Sequence, residues 1–369
     1  MKLKVLKSNL MTGFKKVQGT IPGKPPMAIL ANVKLEAEGR TLSLTTSNLD
    51  MTVHAMMECE VIEGGATTVP GKLIISIVGA LPEGVVELDI GEGEGTMAVS
   101  GGDSIFRIPC MDAKDFPTPP SVDGGRQYVM SANALKEIIR KTEFAQCADA
   151  TRSTLMGTLF DFSDGQLTAV ATDGRRLAKV SLNIGESDIQ GKFVIPAYSI
   201  AEISKVLSSD GDVVIKTAQT QMAFSIEQEK VTVFTKILDV IYPNYNQVIP
   251  AAFSNQVKVD RTALATAVMR CSLMGDESAG RHVKFTIGDN QLVVTATNEA
   301  IGGEARDIVP VKYAGPTLSA MFDPKFILEP LKAIDRDEII LSMNGAAEPK
   351  AITIEGMPVM NIIMPIRQA

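Results

Sequence analysis

A strand–turn–strand pattern written three times at one interval restricts what this chain can fold into. Its first arm reads Val33-Lys34-Leu35-Glu36-Ala37, Thr158-Leu159-Phe160-Asp161-Phe162 and Val283-Lys284-Phe285-Thr286-Ile287, and the spacing is constant, since 158 − 33 = 125 and 283 − 158 = 125. Each arm alternates with the strand period of two, which turns Leu35, Phe160 and Phe285 toward a core. The turns that follow, Glu38-Gly39-Arg40, Asp164-Gly165 and Gly288-Asp289-Asn290, use residues that accept the positive φ of a tight hairpin. A leucine then opens each return arm, over 42–48, 167–173 and 292–298. Pro and Gly gather at 117–125 and again from Pro243, so three similar domains are expected at 1–120, 126–248 and 249–369.

An amphipathic helical pattern precedes each hairpin. Ser8 is expected to cap 9–19 with Leu10, Phe14 and Val17 inward, Ser131 to cap 132–144 with Leu135, Ile138 and Ile139 inward, and Asp260 to cap 261–272 with Leu264 and Val268 inward. A second helix is expected at 70–81, 196–207 and 323–334, opened by Pro70, Pro196 and Asp323-Pro324, because a proline in the first turn has no helical N–H to lose. Pro330 should remove a hydrogen bond inside the last of these and kink it, at a cost of about 3 kcal/mol. Alternating stretches at 85–90, 96–108, 213–216, 222–234, 338–342, 351–354 and 360–364 complete each copy with strands. The expected class is α+β, repeated three times.

With 45% hydrophobic and 21% charged residues, each copy has the material for its own core. The start, MKLKVLKSNL, lacks the apolar segment of a secretory signal, and no run approaches the roughly 20 apolar residues of a membrane helix. A cytoplasmic location is the expectation. Cys59, Cys110, Cys147 and Cys271 lie far apart with no Cys-x-x-Cys pair, which argues against a disulfide framework or a zinc ribbon. His54 and His282 are too few for a histidine metal site or triad, and both are read as structural. Neither a G-x-S-x-G nor a Walker pattern occurs, so no catalytic residue, metal or cofactor is expected. The net charge of −7 opposes nucleic-acid affinity for the molecule as a whole, and any contact with DNA must use a local basic surface. Lys15 and Lys16, then Lys136, Arg140 and Lys141, then Arg261 and Arg270 offer one on the outer faces of the first helices. Weighed alone, such residues are ordinary solvated helix faces.

The triplicated unit, with Ala171-Thr172-Asp173-Gly174-Arg175-Arg176-Leu177-Ala178 on the middle return strand, resembles the bacterial DNA polymerase III β subunits, the sliding clamps. The resemblance covers the full length and includes Thr154-Leu155-x-Gly157, Tyr242-Pro243-Asn244-Tyr245 and the terminal Met364-Pro365-Ile366-Arg367. It implies a head-to-tail homodimer of three-domain chains, a closed six-domain ring with helices inside and sheets outside. Such a ring serves as a processivity factor, holding duplex DNA without regard to sequence and tethering the replicative polymerase, clamp loader and repair proteins by short linear motifs. Carried over by resemblance, the partner-peptide pocket comprises Leu155, Thr172, Gly174, Arg175, Arg176, Leu177, Pro243, Val248, Ile362, Met364, Pro365, Ile366 and Arg367. Lys24, Lys136, Arg140 and Lys141 are the expected DNA contacts, and Phe106, Ile108, Leu273 and Met274 the expected dimer contacts. Three positions depart from the family pattern: Arg175 stands where His is frequent, Gln247 where a basic residue is frequent, and Asp149 carries the wrong charge in a loop that meets DNA. The competing reading is a repeat-built peptide-binding scaffold that encircles nothing.

Overall fold

The computed structural model describes residues 1–91, 95–119, 121–122, 124–275 and 282–366. The chain divides into two compact units, the first made of Met1–Lys136, Ser187–Ile189 and Tyr198–Leu238, the second of Glu137–Glu186, Gln190–Ala197 and Asp239–Ala369.

The repeat is present as three hairpins: Asn32–Glu38 with Thr41–Ser47, Gly157–Ser163 with Gln166–Thr172, and Val283–Gly288 with Gln291–Asn298. Leu35, Phe160 and Phe285 are buried, as the alternation requires. Asp164 and Gly165 have φ of 52° and 68°, and Asp289 and Asn290 have 50° and 58°, so both central residues of these turns are left-handed, as a type I′ hairpin demands. A third strand continues each hairpin, at Met51–Glu58, Arg176–Asn183 and Gly303–Pro310.

The helices are α1 (Lys7–Val17), α2 (Gly71–Ala80), α3 (Ala132–Arg140), α4 (Ala197–Val206), α5 (Arg261–Ser272) and α6 (Pro324–Ala333). Asp260 caps α5 by accepting from the Ala263 N–H at 2.6 Å, and Asp323 caps α6 by accepting from Lys325 at 2.9 Å. Ser131 does the same for α3, accepting from Ala134 at 3.2 Å. Ser8 does not cap α1. The strand Lys2–Leu6 runs straight into that helix, Leu6 takes the cap position, and the Ser8 carbonyl accepts from the Thr12 hydroxyl inside the first turns. α3 stops at Arg140, short of the expected 144, where the Thr142 hydroxyl donates to the Ile138 carbonyl at 2.8 Å and the chain enters a short turn at Glu143–Ala145. Pro330 lies inside α6, which ends at Ala333, so the missing N–H falls in the last turn.

Two expected long strands are hairpins instead. Thr96–Gly101 returns as Ser104–Pro109 through Gly102 at φ 58°, and Gln221–Ile226 returns as Val231–Lys236 through Lys230 at φ 50°. All sheets are antiparallel. In the first unit a five-stranded sheet runs in the order 60–63, 2–6, 85–89, 96–101, 104–109, and an eight-stranded one in the order 126–131, 212–217, 221–226, 231–236, 51–58, 41–47, 32–38, 65–70. In the second an eight-stranded sheet runs 191–196, 157–163, 166–172, 176–183, 359–363, 350–353, 338–343, 255–260, and a four-stranded one 303–310, 291–298, 283–288, 318–322.

Each eight-stranded sheet is two smaller sheets joined edge to edge by one rule: the third hairpin strand of one copy pairs with the last strand of another. Met51–Glu58 meets Val231–Lys236, with Ala55 opposite Val231, and Arg176–Asn183 meets Val359–Ile363, with Val180 opposite Val359. The corresponding edges of the other two sheets, Gly303–Pro310 and Ser104–Pro109, have no strand beyond them among the described residues.

His54 is half-buried on Met51–Glu58: its Nδ1 lies 3.0 Å from the Thr45 hydroxyl, and burial pushes the imidazole below its ordinary value. The four cysteines are free thiols. Among the described residues no helix is long and apolar enough to cross a membrane.

Candidate partner-peptide cleft and basic helix face

The motif strand and the carboxyl-terminal strand, far apart in sequence, are neighbours in one sheet, with Leu177 opposite Ile362. Backbone pairing continues past the strand, because the Met364 N–H donates to the Arg175 carbonyl at 2.9 Å and the Ile366 N–H to the Met321 carbonyl at 2.8 Å. The tail is thereby fixed alongside the turn at 173–175.

Local hydrogen bonds shape that turn. Asp173 Oδ1 accepts from the N–H groups of Arg175 and Arg176 at 2.9 and 3.0 Å, and the Thr172 hydroxyl accepts from Gly174 at 3.1 Å while donating to the Arg176 carbonyl at 2.6 Å. Gly174 has φ +85°, a backbone conformation that favours glycine, whereas a Cβ there would displace only the flexible end of Arg152. Below the turn, the Tyr242 hydroxyl donates to the Val170 carbonyl at 3.3 Å, and burial holds the phenol above its usual range. Lys179 Nζ sits 5.5 Å from the Tyr245 ring centre, so the segment carrying Pro243 lies over the same sheet.

The expected pocket residues sort by depth. Gly174, Arg175, Pro243, Val248 and Met364 are exposed, and Thr172, Pro365 and Ile366 are half-buried. Leu155 is at the edge of the core, whereas Leu177 and Ile362 are within it. Arg367 lies outside the described residues. Arg176, which the sequence reading grouped with the contact residues, is also buried, with only 6% exposed. Its Nε donates to Asp173 Oδ2 at 3.0 Å, its Nη atoms bond to Glu329 and to the Phe144 carbonyl, and its guanidinium lies over the Phe144 and Phe326 rings at 5.6 and 4.7 Å. Sequence reasoning missed Asp173, Glu329, Phe144 and Phe326. Only Asp173 carried a local signal, as an aspartate opening a glycine turn.

On α3 the expected basic face is largely neutralised. Arg140 Nη1 donates to Asp335 at 2.6 Å and its Nη2 bonds to Asp335 and to Glu137, the latter at 2.7 Å, while Lys141 pairs with Glu137 at 2.9 Å. Burial alone would raise the Glu137 carboxyl, but Arg140 and Lys141 outweigh it and hold the group below its ordinary value. Asp335 is lowered chiefly by its hydrogen bonds from Arg140. A helix pattern cannot reveal a counter-ion from a distant loop. Lys136 has no ion-pair partner among the described residues, and Lys24 is exposed.

The expected dimer residues also divide. Leu273 is 80% exposed and Phe106 39%, and Met274 is half-buried; Ile108 is only 3% exposed and belongs to its own unit's core, opposite Met97. The sequence reading omitted Ile105, exposed beside Phe106 on Ser104–Pro109, and Ile301 and Ile308, exposed in the turn before Gly303–Pro310 and along that strand.

Comparison with known proteins matches residues 1–120, 129–244 and 246–367 to the N-terminal, central and C-terminal domains of the DNA polymerase III beta subunit. The β sliding clamp of Chlamydia muridarum is 30% identical over all of this chain and 99% of the relative, and that of Escherichia coli 28% over the whole of both. Among solved structures, the sliding clamp of Bartonella birtlesii bound to griselimycin is 30% identical with a TM-score of 0.93, and the Bacillus subtilis sliding clamp 25% identical with 0.95, each with full coverage of both chains. Domain matches from end to end, with a curated relative at this identity over its full length, make the chain a member of the DNA polymerase III beta subunit family, the bacterial sliding clamps.

Proposed function

We propose that the chain works as a cytoplasmic replication clamp: two copies, joined head to tail, encircle duplex DNA and tether polymerase, clamp loader and repair proteins through the cleft between the 172–177 turn and the tail at 362–366. It is a non-catalytic subunit. The observation that carries the ring is the edge rule. Each of three copies offers one third-hairpin edge and one last-strand edge, two such pairs are closed within the chain, and the pair left over is Gly303–Pro310 and Ser104–Pro109. A single chain satisfies two junctions, and a second copy satisfies the third.

The repeat also supplies a register. The hairpin pairs Thr41 with Glu58, Gln166 with Asn183 and Gln291 with Pro310 make Asp307 the counterpart of Ala55 and Val180, and the closing pairs Ile226 with Val231 and Gly101 with Ser104 make Ser104 the counterpart of Val231. Transferred to the open edges, the rule sets Asp307 opposite Ser104, Ala305 opposite Phe106, and Glu304 opposite Arg107. Opposite charges then face each other, and Phe106 lies with Leu273 and Met274 at the junction.

Duplex DNA is held by weak, delocalised phosphate contacts, and of the four expected contact residues Lys24 and Lys136 are the two without an ion-pair partner among the described residues. Retention on nicked circular DNA with release on linearisation tests the encirclement. Equal release from both forms supports the non-encircling scaffold instead.

A further inference from the structure

Arg176 is enclosed rather than presented. A buried guanidinium is tolerated only with counter-charge and acceptors, and here Asp173, Glu329 and the Phe144 carbonyl supply them, with the Phe144 and Phe326 rings in cation–π contact. The Asp173 carboxylate is shared: Oδ2 faces Arg176, while Oδ1 takes the backbone N–H groups of Arg175 and Arg176. Arg175 in turn gives its carbonyl to the Met364 N–H. One continuous chain of contacts therefore runs from α6 to the exposed wall of the cleft.

Resting on the cleft proposed above, we infer that Glu329 and Arg176 are positioning residues for partner-peptide binding. Glu329 anchors Arg176, Arg176 orients the Asp173 carboxylate, and Asp173 sets the turn whose Arg175 carbonyl holds Met364 in place. The partner this fits is an extended peptide with an aliphatic or aromatic anchor, which reads the turn and the Met364 side chain and touches neither Glu329 nor Arg176. Lysine cannot replace Arg176, because one ammonium on a flexible stem does not span two carboxylates and a carbonyl with fixed geometry.

The test is calorimetric titration of the full-length chain with a synthetic Gln-Ser-Leu-Phe peptide, each variant first shown to melt cooperatively. Glu329→Ala and Arg176→Lys should each weaken binding about fivefold to tenfold, and the double variant should be no weaker than either, since both cut one chain of contacts. Glu329→Gln, which keeps an acceptor for Arg176, should recover most of the affinity. In peptide-free, 15N-labelled protein the Gly174 amide resonance should move in Glu329→Ala, which a loss of overall stability alone does not produce. Wild-type affinity in Glu329→Ala, or additive losses in the double variant, overturns the inference; if Glu329→Ala does not fold, Arg176→Lys decides alone, and wild-type affinity in it overturns the inference. Met364→Ala separates the two readings. If it loses affinity while the Glu329 and Arg176 variants do not, only the positioning role fails, whereas wild-type binding in Met364→Ala removes the cleft itself.

Discussion

The joined strands Arg176–Asn183 and Val359–Ile363 and the open strands Gly303–Pro310 and Ser104–Pro109 are the same elements of one repeat in opposite circumstances. Where the edge is closed, Leu177, Ala178, Val359, Ile362 and Ile363 are buried and the joint is part of a continuous core. Where it is open, Glu304, Arg306 and Arg107 are exposed along the strands, and the exposed large apolar residues are Ile105 and Phe106 on one strand and Ile308 on the other. Charged edges resist indiscriminate strand addition. The difference teaches that the repeat sets which edges meet, while side-chain composition sets whether a meeting is permanent or selective for a matching copy.

The largest effect should come from breaking the open edge. Replacing Leu273 and Met274 together by aspartate places unpaired charge in the proposed junction and should raise the dimer dissociation constant at least a thousandfold, about 4 kcal/mol, leaving monomers in sedimentation at low micromolar concentration. Peptide affinity per chain should be unchanged. An unaltered dimer mass would show that the open edges are not the junction.

The closed sheet invites a different stress, because it buries a cation where the open edges leave theirs in water. Lys350, opposite Ile363, is buried with its ammonium directed at the carbonyls of Gly345, Ala346 and Glu348, and burial pulls its pKa from 10.5 down to about 8. Between those two values the unfolded chain binds more protons than the folded one, so stability should rise with pH from about 8 toward about 10.5, by on the order of 3 kcal/mol. Urea unfolding of wild type and Lys350→Met across that window checks this. A slope that survives in Lys350→Met assigns the effect to other groups.

Removing the tail from Met364 onward tests the closed joint at its functional end. The truncation deletes the wall held by the Arg175 carbonyl and should weaken peptide binding at least tenfold, since burying one Leu or Phe anchor contributes about 1.5 to 3 kcal/mol. Dimer mass should not change. A monomeric truncation would tie the tail to the junction and erase the distinction between the two edges.

How much of this was legible follows from the range of each interaction. The hairpins were readable because turn chemistry is local, and the structure keeps the interval of 125 in the return strands, which start at 41, 166 and 291. The strand Lys2–Leu6 was missed although Leu3 and Val5 alternate with lysines, and that miss misplaced the cap of α1 at Ser8. The position of Thr172–Leu177 beside Ile362–Ile366 followed from family resemblance, and no local pattern pointed to it. Arg176 was unreadable as a buried residue, because burial depends on Glu329, 153 positions away, on the Phe326 ring from the same helix and on the Phe144 ring from another segment. Arg140 fails the same way, its charge being answered by Asp335, 195 positions away.

The finest test sharpens the comparison by asking whether the open edges obey the register of the closed ones. If Glu304 of one protomer faces Arg107 of its partner, then Glu304→Arg sets like charges opposite and should weaken the dimer about twofold to fivefold, the scale of an exposed ion pair at 0.2 to about 1 kcal/mol. Arg107→Glu should do the same. The two variants together restore opposite charges in reversed order and should return the dissociation constant to within about twofold of wild type, with the gain shrinking at high salt as screening sets in. A shift of the register by one residue would set Glu304 against Phe106 or Ile108 instead, and the paired reversal would then rescue nothing. Additive weakening in the double variant therefore rejects the transferred register while leaving the choice of edges standing.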